Sequence, residues 1–191
     1  MNSINININK NAGAVIWITG LSGAGKSTIA NILHQQIQKN LANSREIILL
    51  DGDELREIFP INNNDKSQYE RPARLKLAMS YANLCKCLAN QGNIVIIATI
   101  SLFAEVHNWN KQNLPNYYEI YLKVPLDELE KRDPKKIYQR YKNGEINHVA
   151  GLDFAIDEPK NPFLLFDFEK ISNENNSPEK ISQKILDSVN L

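Results

Sequence analysis

Cysteine is almost missing from this 191-residue sequence: only Cys85 and Cys87 occur, one residue apart. Two thiols cannot build a disulfide framework, and a bridge over so short a span would be strained. Both read as reduced thiols, which suits a cytoplasmic protein. Histidine is scarce too. His34 falls on an expected helix, His107 and His148 fall in expected loops, and their spacing matches no zinc site. Neither charge sign is in excess, with 22 basic and 22 acidic residues. That balance removes the usual basis for non-specific binding to nucleic acid or a membrane surface. No apolar run approaches the ~18 residues of a membrane-crossing helix. Residues 1–10 alternate Asn and Ile and lack the apolar core of a signal peptide.

What remains is an ordinary globular composition, 42% hydrophobic. The length predicts one domain over 1–191, with 1–12 as a loose leader or added edge strand. Ala14–Thr19, Ile47–Leu50, Ile94–Ile97, Tyr118–Val124 and Phe163–Phe166 are short apolar runs read as five strands, the first buried on both faces and the second and third buried as well. Helical spacing lies between them. Ile29, Ile32, Leu33 and Ile37 mark a helix over Ser27–Lys39. Leu75, Ala78, Ala82, Cys85 and Ala89 mark another, opened by Pro72 and ended by Gly92. Leu126–Lys131 is a short helix, and Ser177 with Pro178 caps a closing one. Asn62–Asp65 reads as a polar loop. Trp17 and Cys85 read as core, and Trp109 has no assignable role. Alternating strands and helices predict an α/β fold: a five-stranded parallel sheet with helices on both faces.

Gly20-Leu21-Ser22-Gly23-Ala24-Gly25-Lys26-Ser27 matches G-x-x-x-x-G-K-S/T, between a buried strand and an amphipathic helix. Glycines let main-chain N–H groups close around phosphate oxygens, and the helix N-terminus adds its dipole. Gly20, Ser22, Gly23, Ala24, Gly25, Lys26, Ser27 and Thr28 are therefore the expected ATP cradle. Lys26 can neutralise charge during transfer, and the Ser27 hydroxyl can ligate Mg²⁺. A guanine-reading N-K-x-D is absent; Asn110–Asn113 ends in Asn instead of Asp.

Asp51-Gly52-Asp53 ends the second strand, on the side where parallel sheets bind ligands. One carboxylate can serve Mg²⁺ through water, and the other can take a proton from an attacking hydroxyl. Helix capping explains one Asp but not both. Arg56 can clamp an anionic group of the acceptor. Arg132–Arg140, RDPKKIYQR, is either a lid over ATP or a solvated helix face.

These segments resemble the adenylylsulfate kinase family. GLSGAGKST at 20–28, LDGDELR at 50–56, Ile100-Ser101, RDPKKIY at 132–138, Gly144-Glu145-Ile146, Gly151-Leu152-Asp153 and PKNPFLLFD at 159–167 occur in family order. The resemblance implies a P-loop, nucleoside-monophosphate-kinase-like fold. It also implies transfer from MgATP to a ribose 3′-hydroxyl, with Asp51 or Asp53 activating the acceptor. Arg132, Lys135 and Arg140 become lid residues. Asp53, Arg56, Tyr69, Arg74, Ile100, Ser101, Val149 and Leu152 become the acceptor site, with Ser101 added to the catalytic set of Lys26, Asp51 and Asp53. Family members are often homodimers.

Departures gather in the acceptor half. The family's F-S-x-x-D-R-x-x-N-x-x-R corresponds to Tyr69 onward, with Arg74 kept, Leu77 for Asn and Ser80 for Arg. I-S-P-F/Y-R becomes Ile100-Ser101-Leu102-Phe103-Ala104, and G-E-I-K-x-F-T-G becomes Gly144–Gly151 with Asn147 and Val149. A subfamily acts on cytidine diphosphoramidate for capsule polysaccharide decoration, and its smaller pyrimidine would suit Tyr69 opposite Val149. A reading from another class is a regulatory protein that binds ATP without transferring it.

Overall fold

The computed structural model describes residues 13–40, 45–59, 69–170 and 176–191. The expected leader at 1–12 and the polar loop at Asn62–Asp65 lie outside the described residues. Five strands run β1 Ala14–Thr19, β2 Ile47–Asp51, β3 Ile94–Thr99, β4 Tyr117–Lys123 and β5 Leu164–Asp167. They form one parallel sheet in the order β2-β3-β1-β4-β5. Parallel neighbours need crossovers, and helices supply them: α1 Lys26–Asn40, α2 Gly52–Ile58, α3 Arg71–Asn90, α4 Ala104–Asn113, α5 Leu126–Arg132, α6 Ile137–Lys142 and α7 Pro178–Ser188.

Every residue of β1 and β3 is buried, as continuous apolar strands in a sheet covered on both faces must be. Alternate residues serve different cores. Ile16, Ile18, Ile94 and Ile96 pack with Leu33 and Ile37 of α1 and Ile181 of α7. Val15, Trp17, Val95 and Ile97 pack with Ala82 and Cys85 of α3 and Val106 of α4. Each fully buried aliphatic side chain contributes ~1.5–3 kcal/mol against an exposed reference.

Two expectations need correction. β2 is only half-buried along its length, because it is an edge strand with one neighbour. His107 is not in a loop. It lies on α4, 4% exposed, with Nδ1 2.6 Å from Glu119 Oε1. The Ala104–Asn113 segment turns a polar pair, His107 and Asn110, toward the sheet, so an apolar stripe never marks this helix. Among the described residues no helix is long and apolar enough to cross a membrane.

β1 and β3 are neighbours whose chains leave toward opposite edges of the sheet. A crevice belongs above such a switch point, beyond the carboxyl ends of the strands.

Candidate active site

A crevice of about 1380 Å³ stands there, lined by the loop after β1, the ends of β2 and β3, and the 132–149 segment. Gly23 and Gly25 take φ of 78° and 90°, a region side chains resist, and this curls the loop between β1 and α1. Lys26 opens α1 and donates from Nζ to the Leu21 carbonyl at 2.8 Å. Burial pulls its ammonium down to about 8; Asp53 opposes that fall, Lys135 adds to it, and Asp51 opposes it. Its neighbour Ser27 donates from Oγ to Asp51 Oδ2 at 2.5 Å.

Asp51 also accepts the Asp53 N–H on Oδ1 at 2.8 Å, capping α2. Capping and crevice duty thus fall on the same side chain, one oxygen for each. Asp53 is left to the other wall, where Lys135 Nζ pairs with its Oδ2. Gly52 is tightly enclosed: a Cβ would lie 3.0 Å from Thr99 Oγ1 and 3.1 Å from the Ala98 carbonyl, so its neighbours would have to give way. Tyr81 donates its hydroxyl to the Gly52 carbonyl at 3.2 Å and holds the turn from below.

The basic segment is a built element and not a free helix face. Asp133 accepts the N–H groups of Ile137 and Gln139 at 2.8 and 2.9 Å, capping α6. Tyr138 is 1% exposed and donates its hydroxyl to the Ser22 carbonyl at 2.9 Å. Burial pushes that phenol up to about 12, so it remains a donor. Arg132, Lys135 and Arg140 all line the crevice. Arg132 stacks on Phe168, 5.6 Å from the ring centroid, and Arg140 Nε lies 3.4 Å from Glu145 Oε2.

Arg56, Tyr69, Arg74, Ile100 and Val149 also line the crevice. Arg74 lies 4.5 Å from the Phe154 centroid and 6.0 Å from that of Tyr69, and donates from Nη2 to the His148 carbonyl at 2.7 Å. Burial pulls its guanidinium down to about 10, and Arg56 nearby adds to the fall. Asp153 accepts the N–H groups of His148 and Val149 at 2.8 and 2.7 Å. Burial works to raise that carboxyl, and these N–H groups still hold it below the usual range. Gly151 sits against the P-loop: a Cβ there would come 2.8 Å from Leu21 Cδ1, and its φ is +84°.

Not every candidate reaches the crevice. Ser101 is 6% exposed at φ +32°, shares a 2.8 Å hydrogen bond with Thr99 Oγ1, and faces a separate cavity of about 50 Å³. Leu152 packs on the core, and the Ala24 methyl is buried. Neither they nor Gly20 lines the opening. Conversely, Thr99, Asp133 and Asp153 were not among the residues expected at the site. Asp133 and Asp153 stand inside the RDPKKIY and Gly-Leu-Asp segments, so a capping carboxylate could have been suspected; Thr99 had no signal beyond ending a strand.

Residues 12–167 match the sequence profile of the family described as adenylylsulphate kinase. The cytidine diphosphoramidate kinase of Campylobacter jejuni is 39% identical over 172 residues, 90% of this chain and 94% of its own. The adenylyl-sulfate kinase of Bacillus velezensis is 36% identical over 170 residues, 87% of this chain and 82% of its own. The chain belongs to the adenylylsulphate kinase family. It is therefore an ATP-dependent nucleotide kinase. The adenylylsulphate kinase CysC of Mycobacterium tuberculosis, solved with AMPPNP and APS, superposes with a TM-score of 0.77 at 27% identity, over 93% of this chain and 97% of that one. Against the adenylylsulphate kinase pattern, the replaced position Leu77 now helps line the small cavity behind Arg74.

Proposed function

We propose that the protein transfers the γ-phosphoryl of MgATP to the ribose 3′-hydroxyl of cytidine diphosphoramidate. Convergence supports the transfer: Lys26, Ser27, Asp51 and Asp53 come from two strand ends and face one crevice. Ser27 Oγ and Asp51 offer oxygen donors side by side, the kind Mg²⁺ takes, so the ion fits there. When bound it supplies positive charge to the phosphates. The chain's residues do the rest. P-loop N–H groups and Lys26 hold the phosphate tail, with Lys26 leaving the Leu21 carbonyl. Arg132, Lys135 and Arg140 close from the lid side and exclude water. Both Asp51 oxygens are already engaged, which leaves Asp53 to take the 3′-hydroxyl proton once Lys135 turns to the phosphates.

The acceptor rests on the rewritten wall. Tyr69 offers one aromatic face, and Val149, where the family pattern has a second aromatic, offers none. Losing half of an aromatic sandwich weakens stacking by about 1 kcal/mol, which penalises a purine that depends on both faces. The relative named for cytidine diphosphoramidate favours the same acceptor. Adenylylsulfate is the second reading, favoured by the family profile and by the likeness to an enzyme solved with APS. ADP release from MgATP with each acceptor tests the choice. Higher kcat/KM for the cytidine compound is expected; faster use of adenylylsulfate would reverse the assignment. ATP binding without transfer to any acceptor would mark the regulatory alternative. Two cysteines without a disulfide support a cytoplasmic location, and light scattering would test the homodimer that the resemblance implies.

A further inference from the structure

Arg71 lies on the first turn of α3, two residues past Tyr69, and does not line the crevice. Its Nη2 donates to Asp157 Oδ2 at 2.8 Å and to Glu105 Oε2 and Oε1 at 3.0 and 3.2 Å. The same Asp157 oxygen accepts the Ala104 N–H at 3.1 Å, at the start of α4. Asp157 N–H donates to the Leu102 carbonyl at 3.0 Å, and its carbonyl meets His107 Nε2 at 3.0 Å. One residue thus ties α3, α4 and the Ile100–Phe103 turn together.

The tie continues inward through side chains. The Arg71 guanidinium lies 5.1 Å from the Phe103 centroid. Phe103 meets Phe154 edge-on at 6.2 Å, and Arg74 covers Phe154 at 4.5 Å. Arg71, Phe103, Phe154 and Arg74 form a continuous stack, two cations flanking an edge-on aromatic pair, that ends in the acceptor half. We propose that Asp157 and Arg71 are positioning residues: they clamp the outer end of this stack and so aim Arg74 at the acceptor. The inference rests on the placement of the acceptor beside Arg74.

The clamp contributes little to stability as such. Arg71 and Asp157 are 40% and 39% exposed, and exposed ion pairs are weak in water. Its effect is geometric, and small displacements of a binding group are costly to turnover. The Ala104 N–H and Arg71 hold the Asp157 carboxyl below the usual carboxylate range, so the clamp stays charged throughout assay pH.

Asp157→Asn keeps the shape and drops the charge. It is expected to raise the acceptor KM by about tenfold, with the ATP KM and the melting temperature nearly unchanged. Arg71→Met should do the same, and Arg71→Lys should restore part of the loss. In an Arg74→Lys background, Asp157→Asn should add less than about twofold, because the two act through one contact. Equal changes in both KM values, no change in either, or full additivity with Arg74→Lys would overturn the proposal. A wild-type enzyme that turns over neither acceptor would instead overturn the function on which it rests.

Discussion

Lys26 is the residue whose chemistry the fold changes most. Free, its ammonium is pulled down to about 8 by burial, so part of the population is neutral above that pH. Bound phosphates favour the charged form and return the proton. The sign follows: binding of ATP takes up protons near pH 8.5 and almost none near pH 6.5. Calorimetry in two buffers of different ionisation heat measures this uptake, and Lys26→Met should abolish it. Asp53 is placed for a different test. Asp53→Asn removes a proton acceptor and keeps the side chain's size. Turnover should fall by about a thousandfold, within the usual range for a lost general base. ATP affinity, read by direct binding, should change far less.

At the scale of elements, α6 depends on its surroundings. Six residues cannot hold a helix alone, because nucleation outweighs so few hydrogen bonds. Asp133 supplies the cap, and Tyr138 supplies the anchor to Ser22. Asp133→Ala should cost about 1 kcal/mol locally and speed amide exchange over 137–142 while sparing the sheet. The ATP KM should rise, and hydrogen exchange tells this loosening from global unfolding. Some of these elements could be read from the chain and others could not. β1, β3 and α3 were legible from apolar runs and from Pro72 and Gly92. α4 was not, since its buried face carries His107 and Asn110. β2 looks as apolar as β3, and only its place at the sheet edge leaves it half-buried.

At the scale of the whole molecule, contiguous chemistry was legible and dispersed chemistry was not. The P-loop and the Asp51–Asp53 pair each occupy a few successive residues, so their spacing alone exposed them. The clamp of Arg71, Glu105 and Asp157 spans residues far apart in the chain and exists only after folding. Ligand linkage offers a global check. An unreactive ATP analogue with Mg²⁺, at about a hundred times its Kd, should stabilise the protein by ~2.7 kcal/mol, seen as a rise in melting temperature. The acceptor alone should give less while Lys135 still holds Asp53. Gly151 bears on redesign. A Cβ there would meet the tip of the Leu21 side chain, and its left-handed backbone excludes most substitutes. A library meant to shift nucleotide preference should therefore randomise 147–149 and leave position 151 untouched. A side chain added there would strain the turn that carries Val149 before any new base could be sampled.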